Sequence, residues 1–436
     1  MNVGEGGDEG MKGMKAFPTL VMICMVCYVV ACACVRAEIQ PKTVSEAETL
    51  EVYGNANEDD TIDMRDVTYI KLVIFGRKPS TEFCDANYDG RVSMLDVVQT
   101  KLIIVGKEAE LTLKDSAGNI HTIDEPVERV VTMNTGALEV IRTLGAKDKV
   151  VGVSKYAIKD ETFFPEFHDY PNVGSAWSID YEVILECEPE VLITYTKYPS
   201  PDELEDKLVG TGITVVRLDF SHLSSYEKEL KTLAYILGKV ERAEEFLDFY
   251  ENVKGEIERR TASLSDEERP KVYLEADFGS GKKYYTCGEG HGLHEVLVTA
   301  GGLNIFEDVS YGGDVDPEEV ISRDPEIIVK YKYPAGGFDK DISDTAELEE
   351  IRDEILSREE LKGVTAVKNG KVYVITWYST RGAARGILAL GYMAKWFHPE
   401  IFADIQPREI YQEYLTRFQG LDINLQENGV FAYPEP

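Results

Sequence analysis

The sequence predicts an α/β protein of two lobes joined by one long helix, with a small all-α module in front. Three observations predict it. Short apolar runs alternate with helical patterns on both sides of residues 226–263, the rhythm of parallel sheets with covered faces. The stretch 226–263 itself reads as helix, with a one-sided apolar stripe in its later part. Ahead of the alternation, a twelve-residue polar pattern occurs twice. At 436 residues the chain exceeds one ordinary core, in keeping with several domains.

The first 37 residues read as an export signal or membrane anchor. Lys12 and Lys15 precede an almost uncharged run over 16–35. Val35-Arg36-Ala37 offers a cleavage site, Val29-Val30-Ala31-Cys32 resembles a lipobox, and the run is nearly long enough to span a bilayer uncleaved. All three outcomes place residues 38–436 outside the cytoplasm, released, at the cell surface or anchored there. Residues 38–50 are polar and read as a linker.

The net charge is −33, and the first 37 residues contribute nothing to it. Such a surface repels nucleic acid and anionic lipid. Four of the seven cysteines lie in the apolar run; Cys84, Cys187 and Cys287 are too few for a disulfide framework.

The repeat comprises residues 55–66 and 85–96. Oxygen-bearing side chains stand at positions 1, 3, 5, 9 and 12: Asn55, Asn57, Asp59, Asp63 and Asp66, then Asp85, Asn87, Asp89, Ser93 and Asp96. Thr61 and Arg91 would donate the position-7 carbonyl. This is EF-hand ligand spacing, suited to a hard cation that takes six to eight oxygens, so each loop is expected to hold one calcium ion. Position 6 calls for a left-handed backbone: Gly90 supplies it, and Asp60 tolerates it better than most. Helices are expected over 67–75 and 97–105.

With Asp at position 12 and one helix after each loop, residues 51–107 resemble a dockerin domain. The resemblance implies a cohesin-bearing partner, met by Met64, Arg65, Lys71 and Leu72 or by Met94, Leu95, Lys101 and Leu102. Asn55 and Asp60 depart from the family's Asp and Gly.

The first lobe, 108–225, carries strands at 129–132, 150–153, 191–194 and 214–218, with helices at 137–144, 181–186 and 200–208. A connecting helix region covers 226–265. The second lobe, 266–436, carries strands at 272–276, 326–330 and 371–375, and helices at 293–300, 346–357, 358–361, 385–397 and 407–418. Both lobes are expected to be Rossmann-like.

Several stretches carry a second resemblance: Glu128-Arg-Val-Val, Leu144-Gly-Ala-Lys-Asp-Lys-Val-Val-Gly-Val, Glu188-Pro-Glu-Val-Leu-Ile-Thr, Ala300-Gly-Gly-Leu-Asn, Asp324-Pro-Glu-Ile-Ile-Val and Val367-Lys-Asn-Gly-Lys-Val-Tyr. In this order, residues 110–420 resemble the helical-backbone periplasmic binding proteins of iron–siderophore, haem and cobalamin importers. The resemblance implies a metal chelate as ligand, an ABC permease as partner and no catalysis. It also implies an acidic permease contact on each lobe, for which Glu203 or Glu205 is the first-lobe candidate.

In open α/β sheets ligands sit at the carboxyl ends of the strands. That rule selects Asn134, Tyr156, Trp177, Tyr195, Lys197 and Tyr198 in the first lobe. In the second it selects Tyr284, Tyr285, His291, Tyr331, Tyr333, Trp377 and Arg381. Aromatic rings with polar edges and cations from Lys155, Lys197, Lys330, Lys332 and Arg381 suit an anionic, partly aromatic chelate. His291, His294, Tyr284 and Tyr285 are candidates for direct metal ligation, although no two-histidine-plus-carboxylate spacing is present. Two other classes stay open: a surface scaffold or adhesion protein working through the front module, and an enzyme, for which no nucleophile set or phosphate loop stands out.

Overall fold

The computed structural model of the protein describes residues 49–380 and 382–436. The export segment, nearly all of the linker and Arg381 lie outside them. In the front module each loop runs into a helix, α1 (Met64–Ile74) and α2 (Met94–Ile104). Both begin earlier than expected because the loops themselves supply the caps. Asp63 accepts from Arg65 N at 2.6 Å and Ser93 from Leu95 N at 3.0 Å. Asp66 and Asp96 reach back to the amides of Asp63 and Ser93 at 2.8 and 2.6 Å, closing two capping boxes. Ala56, Val67, Ile70, Cys84 and Val97 form a small core between the helices.

A second group of front residues, Leu50, Val52, Ile62 and Ile103, joins the main core of the molecule. Leu50 is fully buried and bonded to Asp59 O, so the expected linker ends before it. The module is therefore part of the first lobe rather than a body on a tether.

That lobe opens with a hairpin, β1 (Glu110–Lys114) and β2 (Ile120–Asp124), which the sequence reading missed. The chain ahead of α1 extends it: Val52 bridges Leu113, Tyr53 N donates to Thr112 O at 2.9 Å and Lys114 N to Glu51 O at 2.8 Å. Next come β3 (Val130–Thr132), α3 (Thr135–Thr143), β4 (Val150–Val153), β5 (Val191–Thr194) and β6 (Thr214–Arg217). The sheet runs β4-β3-β5-β6 with every pair parallel. Its strands are nearly all buried, as strands covered on both faces must be.

The single helix expected over 226–265 is two helices, α4 (Tyr226–Ile236) and α5 (Val240–Thr261). Gly238, at φ 62°, ends the first. Its amide and that of Lys239 return to Tyr235 O and Ala234 O, the glycine-based stop that a residue without Cβ permits. Only α5, 22 residues and so about 33 Å long, links the lobes. The predicted stripe Ala243, Phe246, Leu247, Tyr250, Val253 and Ile257 is its buried face.

The second lobe contains β7 (Lys271–Asp277), β8 (Tyr285–Cys287), α6 (Gly292–Thr299), β9 (Leu303–Asn304), β10 (Gly312–Asp314), β11 (Ile327–Lys332), β12 (Val372–Thr376), α7 (Gly382–Phe397) and β13 (Ala432–Tyr433). The strand order is β10-β8-β7-β11-β12-β13, with β9 also on β7. The central strands β7, β11 and β12 are parallel; β8, β10 and β13 are antiparallel additions.

All described residues belong to one compact unit. Buried polar ties join the lobes. Arg385 Nε on α7 donates to both oxygens of Glu139 on α3, at 3.1 and 3.0 Å, and the Tyr414 hydroxyl donates to the same carboxylate. Ala383 N donates to Phe220 O at 2.9 Å. Among the described residues no helix is long and apolar enough to cross a membrane.

Candidate functional site

Between the lobes lies a cavity of about 630 Å³ at the carboxyl ends of both sheets. The first-lobe wall is built after β3, β4, β5 and β6. Asn134 caps α3: its side chain accepts from Gly136 N at 2.8 Å and donates to Leu218 O and Asp219 O. It therefore lines the cavity as a brace, with its hydrogen-bonding capacity already used. Tyr156, Trp177 and Tyr195 form an aromatic wall, with Trp177 ring centroids 6.3 Å from Tyr156 and 6.0 Å from Tyr195. Tyr198 continues it outward, 6.5 Å from Trp177.

The opposing wall comes from β11 and β12. Tyr333 and Trp377 pack edge to face at 5.0 Å, and Tyr378 adjoins Trp377 at 5.3 Å. Gly382 and Pro334 complete it. Rings thus face the cavity from both lobes. Trp177 is 64% exposed, far from the burial such a residue usually finds.

Other predicted residues lie elsewhere. Tyr284, just ahead of β8, is off the cavity lining: its hydroxyl bonds Glu360 at 2.6 Å and Arg358 covers its ring. Tyr285, Tyr331 and His291 gather around Phe278 beside the cavity. His291 Nδ1 caps α6 by accepting from Leu293 N at 3.1 Å, and burial pushes the ring's pKa down to about 4. His294 bonds Asn304 at 3.0 Å. Direct metal ligation therefore finds no support in these histidines. Among the described residues no three His, Cys, Asp or Glu side chains are grouped to hold a metal.

Two of the five expected cations are engaged inside the second lobe. Lys330 donates to Glu275 at 2.7 Å and Lys332 to Asp277 at 2.5 Å, each a cross-strand neighbour in the β7–β11 register. Burial raises the Glu275 carboxyl, but Arg358 and Lys330 outweigh it and hold it below its ordinary value. Lys155 stands 5.4 Å over the Tyr156 ring, and Lys197 is exposed outside the cavity lining. The ionisable groups on the described lining, phenols aside, are Lys159, Asp160 and Asp219, with Asp219 taking bonds from the amide and hydroxyl of Thr196. Of the two candidate permease contacts, Glu205 is a bidentate partner of buried Arg217, at 2.6 and 2.7 Å. Glu203 bonds Ser200 at an exposed turn.

The sequence reading missed Asp160, Asp219 and Phe220, and held Tyr378 only as part of the strand-end loop 377–381. Asp219 and Phe220 follow β6 and obey the strand-end rule that found the others; Tyr378 adjoins Trp377. Asp160 has no comparable signal.

The two front loops are the remaining places for a cation. They share one scheme: Asp66 and Asp96 each accept from the position-3 amide, at 3.0 and 3.2 Å, and Asp59 and Asp89 from the position-7 amide, both at 3.0 Å. Burial, reinforced by Asp59 and Asp63, pushes the Asp66 carboxyl up to about 6. The Asn55 side-chain oxygen is buried without a hydrogen-bond partner. The donors are all oxygens, the type a hard metal ion takes, but Arg65 already pairs with Asp59 and Asp63 at 3.1 and 2.8 Å, and among the described residues the acids are not gathered around one point.

A family model described as periplasmic binding protein matches residues 130–377. The vitamin B12-binding protein of Vibrio cholerae serotype O1 is 27% identical over 206 residues, 47% of this chain and 70% of that protein. The cobalamin-binding protein of Halobacterium salinarum is 25% identical over 235 residues, 50% of this chain and 58% of its own length. A TroA-like periplasmic binding protein from Veillonella parvula shares the fold, with TM-score 0.61 and 22% identity over 74% of this chain and 99% of that one.

Proposed function

Because the chain belongs to the periplasmic binding protein family, we propose that its cleft captures a corrinoid outside the cytoplasm and delivers it to the permease of an ABC importer. The protein is a binding component, not an enzyme. The observation that carries the ligand class is the facing pair of aromatic walls, Trp177 with Tyr156 and Tyr195 against Trp377 with Tyr333 and Tyr378. Broad rings with polar edges suit a large macrocycle with amide-bearing arms. A polyanionic ferric siderophore would meet Asp160 and Asp219, while Lys330 and Lys332 are occupied within the lobe. The names of the Vibrio and Halobacterium relatives agree with this reading. With Arg385–Glu139 tying the lobes across their base, capture and release need only small adjustments of the walls.

Calorimetric titration of the full-length protein with cyanocobalamin, haem and a ferric siderophore tests it. Saturable binding of the cobalamin alone is expected. Trp177→Ala and Trp377→Ala should each weaken it roughly thirty-fold, the loss typical of a buried aromatic anchor. Haem or siderophore binding without cobalamin binding would overturn the reading.

For the front module the proposed role is a pair of calcium sites and dockerin-type attachment to a cohesin. Asn55, Asn57, Asp59, Asp63 and Asp66 would hold one ion, and Asp85, Asn87, Asp89, Ser93 and Asp96 the other, with carbonyls of Thr61 and Arg91. Calcium would supply positive charge beside these acids. Exposed Met64, Met94 and Leu95 would meet the partner. The docking half stands or falls on whether the calcium-loaded protein binds a cohesin in calorimetry. A surface scaffold with an idle cleft predicts cohesin binding without uptake of any ligand.

A further inference from the structure

Outside the slot between the two tryptophans, three large aromatic side chains stand in water. Tyr198 of the first lobe is 56% exposed; Phe278 and Tyr311 of the second are 46% and 57% exposed. Single exposed aromatics are ordinary, but these belong to one place. Phe278 lies 5.0 Å from Tyr331 and 5.8 Å from His291, and His291 lies 4.9 Å from Tyr311. The first lobe closes on this cluster: a Cβ built on Gly292, next to His291, would stand 2.5 Å from Ser221 O, and Ser221 lines the cavity with Trp177.

This outer cluster is continuous with the slot on both sides. In the first lobe Tyr198 adjoins Trp177. In the second, the turn after Phe278 passes over Tyr333: a Cβ placed on Gly279, at φ 92°, would stand 3.2 Å from the Tyr333 ring. Only a glycine permits both that backbone and that approach. The His291 ring, with its pKa pushed down by burial, is uncharged at neutral pH and adds a flat face rather than a cation.

We propose that Tyr198, Phe278 and Tyr311 form an outer subsite that takes an aromatic base hung from the macrocycle, so that the receptor reads the side arm as well as the ring. This rests on the corrinoid reading of the cleft. A macrocycle entering edge-first between Trp177 and Trp377 would leave its base-bearing side at the mouth, where the side chains of Tyr198, Phe278 and Tyr311 offer stacking faces. Stacking on an aromatic side chain tolerates many bases and contributes measurably for each one.

The test compares cyanocobalamin with dicyanocobinamide, the same ring without the nucleotide arm, on the full-length protein by calorimetry. The wild type should bind the cobinamide roughly a hundredfold more weakly. Tyr198→Ala, Phe278→Ala and Tyr311→Ala should each lower cobalamin affinity by roughly tenfold and leave cobinamide within about twofold. Trp377→Ala should weaken both ligands alike, which separates slot from subsite. Unchanged melting temperatures would show that the variants fold. Equal weakening of both ligands by the three variants, or of neither, overturns the subsite while the corrinoid reading survives. Failure of the wild type to bind either ligand removes the corrinoid reading and the subsite with it.

Discussion

The two front repeats share one hydrogen-bond scheme and differ in what lies against them. In the first, Asn55 is buried among Leu50 and Asp59, and Ile62 and Asp60 meet α4 of the binding lobe: Ile62 N donates to the Tyr235 hydroxyl at 3.2 Å and Asp60 pairs with Lys231 at 2.7 Å. In the second, the same loop faces water. A Cβ added to Gly90, at φ 87°, would meet nothing within 4 Å, and Asp85 accepts from the amides of Asp89 and Gly90 at 3.1 and 2.8 Å. The backbone contrast follows: Glu58 and Tyr88 at position 4 are both left-handed, but at position 6 only Gly90 is. The departures at Asn55 and Asp60 therefore go with seating. One repeat has become part of the lobe's core while its twin keeps the free loop.

The sharpest way to break this contrast is at position 8. Ile62→Ala opens a hole in the shared core and should cost about 2–4 kcal/mol in chemical denaturation of the full-length protein. Val92→Ala, at the half-buried equivalent, should cost about 1 kcal/mol or less. Equal losses would mean that the first repeat is no more anchored than the second.

Metal removal should give an unequal response of the same sign. Hydrogen exchange before and after chelation should show amides of 85–104 losing protection by a larger factor than those of 55–74, because α4 and β1 continue to hold the first repeat when calcium does not. Identical exchange with and without chelator would end the calcium reading. Greater loss in the first repeat would end the contrast.

What could be read in advance follows the same physics. The strands at 130–132, 191–194 and 327–332 were legible because burial on both faces demands unbroken apolar runs. The hairpin at 110–124 was not, since it is stabilised by pairing with its neighbour and with residues 51–53, contacts without a local signature. Trp177, Tyr195, Tyr333 and Trp377 were found by the strand-end rule, and the same rule misassigned Lys330 and Lys332. Their partners, Glu275 and Asp277, lie 55 residues away and meet them only through strand register. The helix break at Gly238 was visible as a glycine, but the apolar pattern on both sides of it reads as one stripe.

The finest test of the contrast is to give the first loop the glycine its twin has. Asp60→Gly removes the pair with Lys231, which is partly exposed and contributes at most about 1 kcal/mol. It also adds backbone freedom to a position not left-handed here, a further cost of about 0.5–1 kcal/mol. Burial raises the Asp60 carboxyl, yet Lys231 outweighs it and holds it below its ordinary value. The pair's contribution is therefore present above the ordinary carboxylate pKa and fades as pH falls through the lowered one. The variant should melt slightly below the wild type at neutral pH, and the gap should narrow on acidification. A gap that widens in acid would mean that Asp60 is tied to something other than Lys231. If calcium affinity of the first loop rises in the same variant, seating and metal binding compete for one residue. If it does not, the two are independent uses of the same loop.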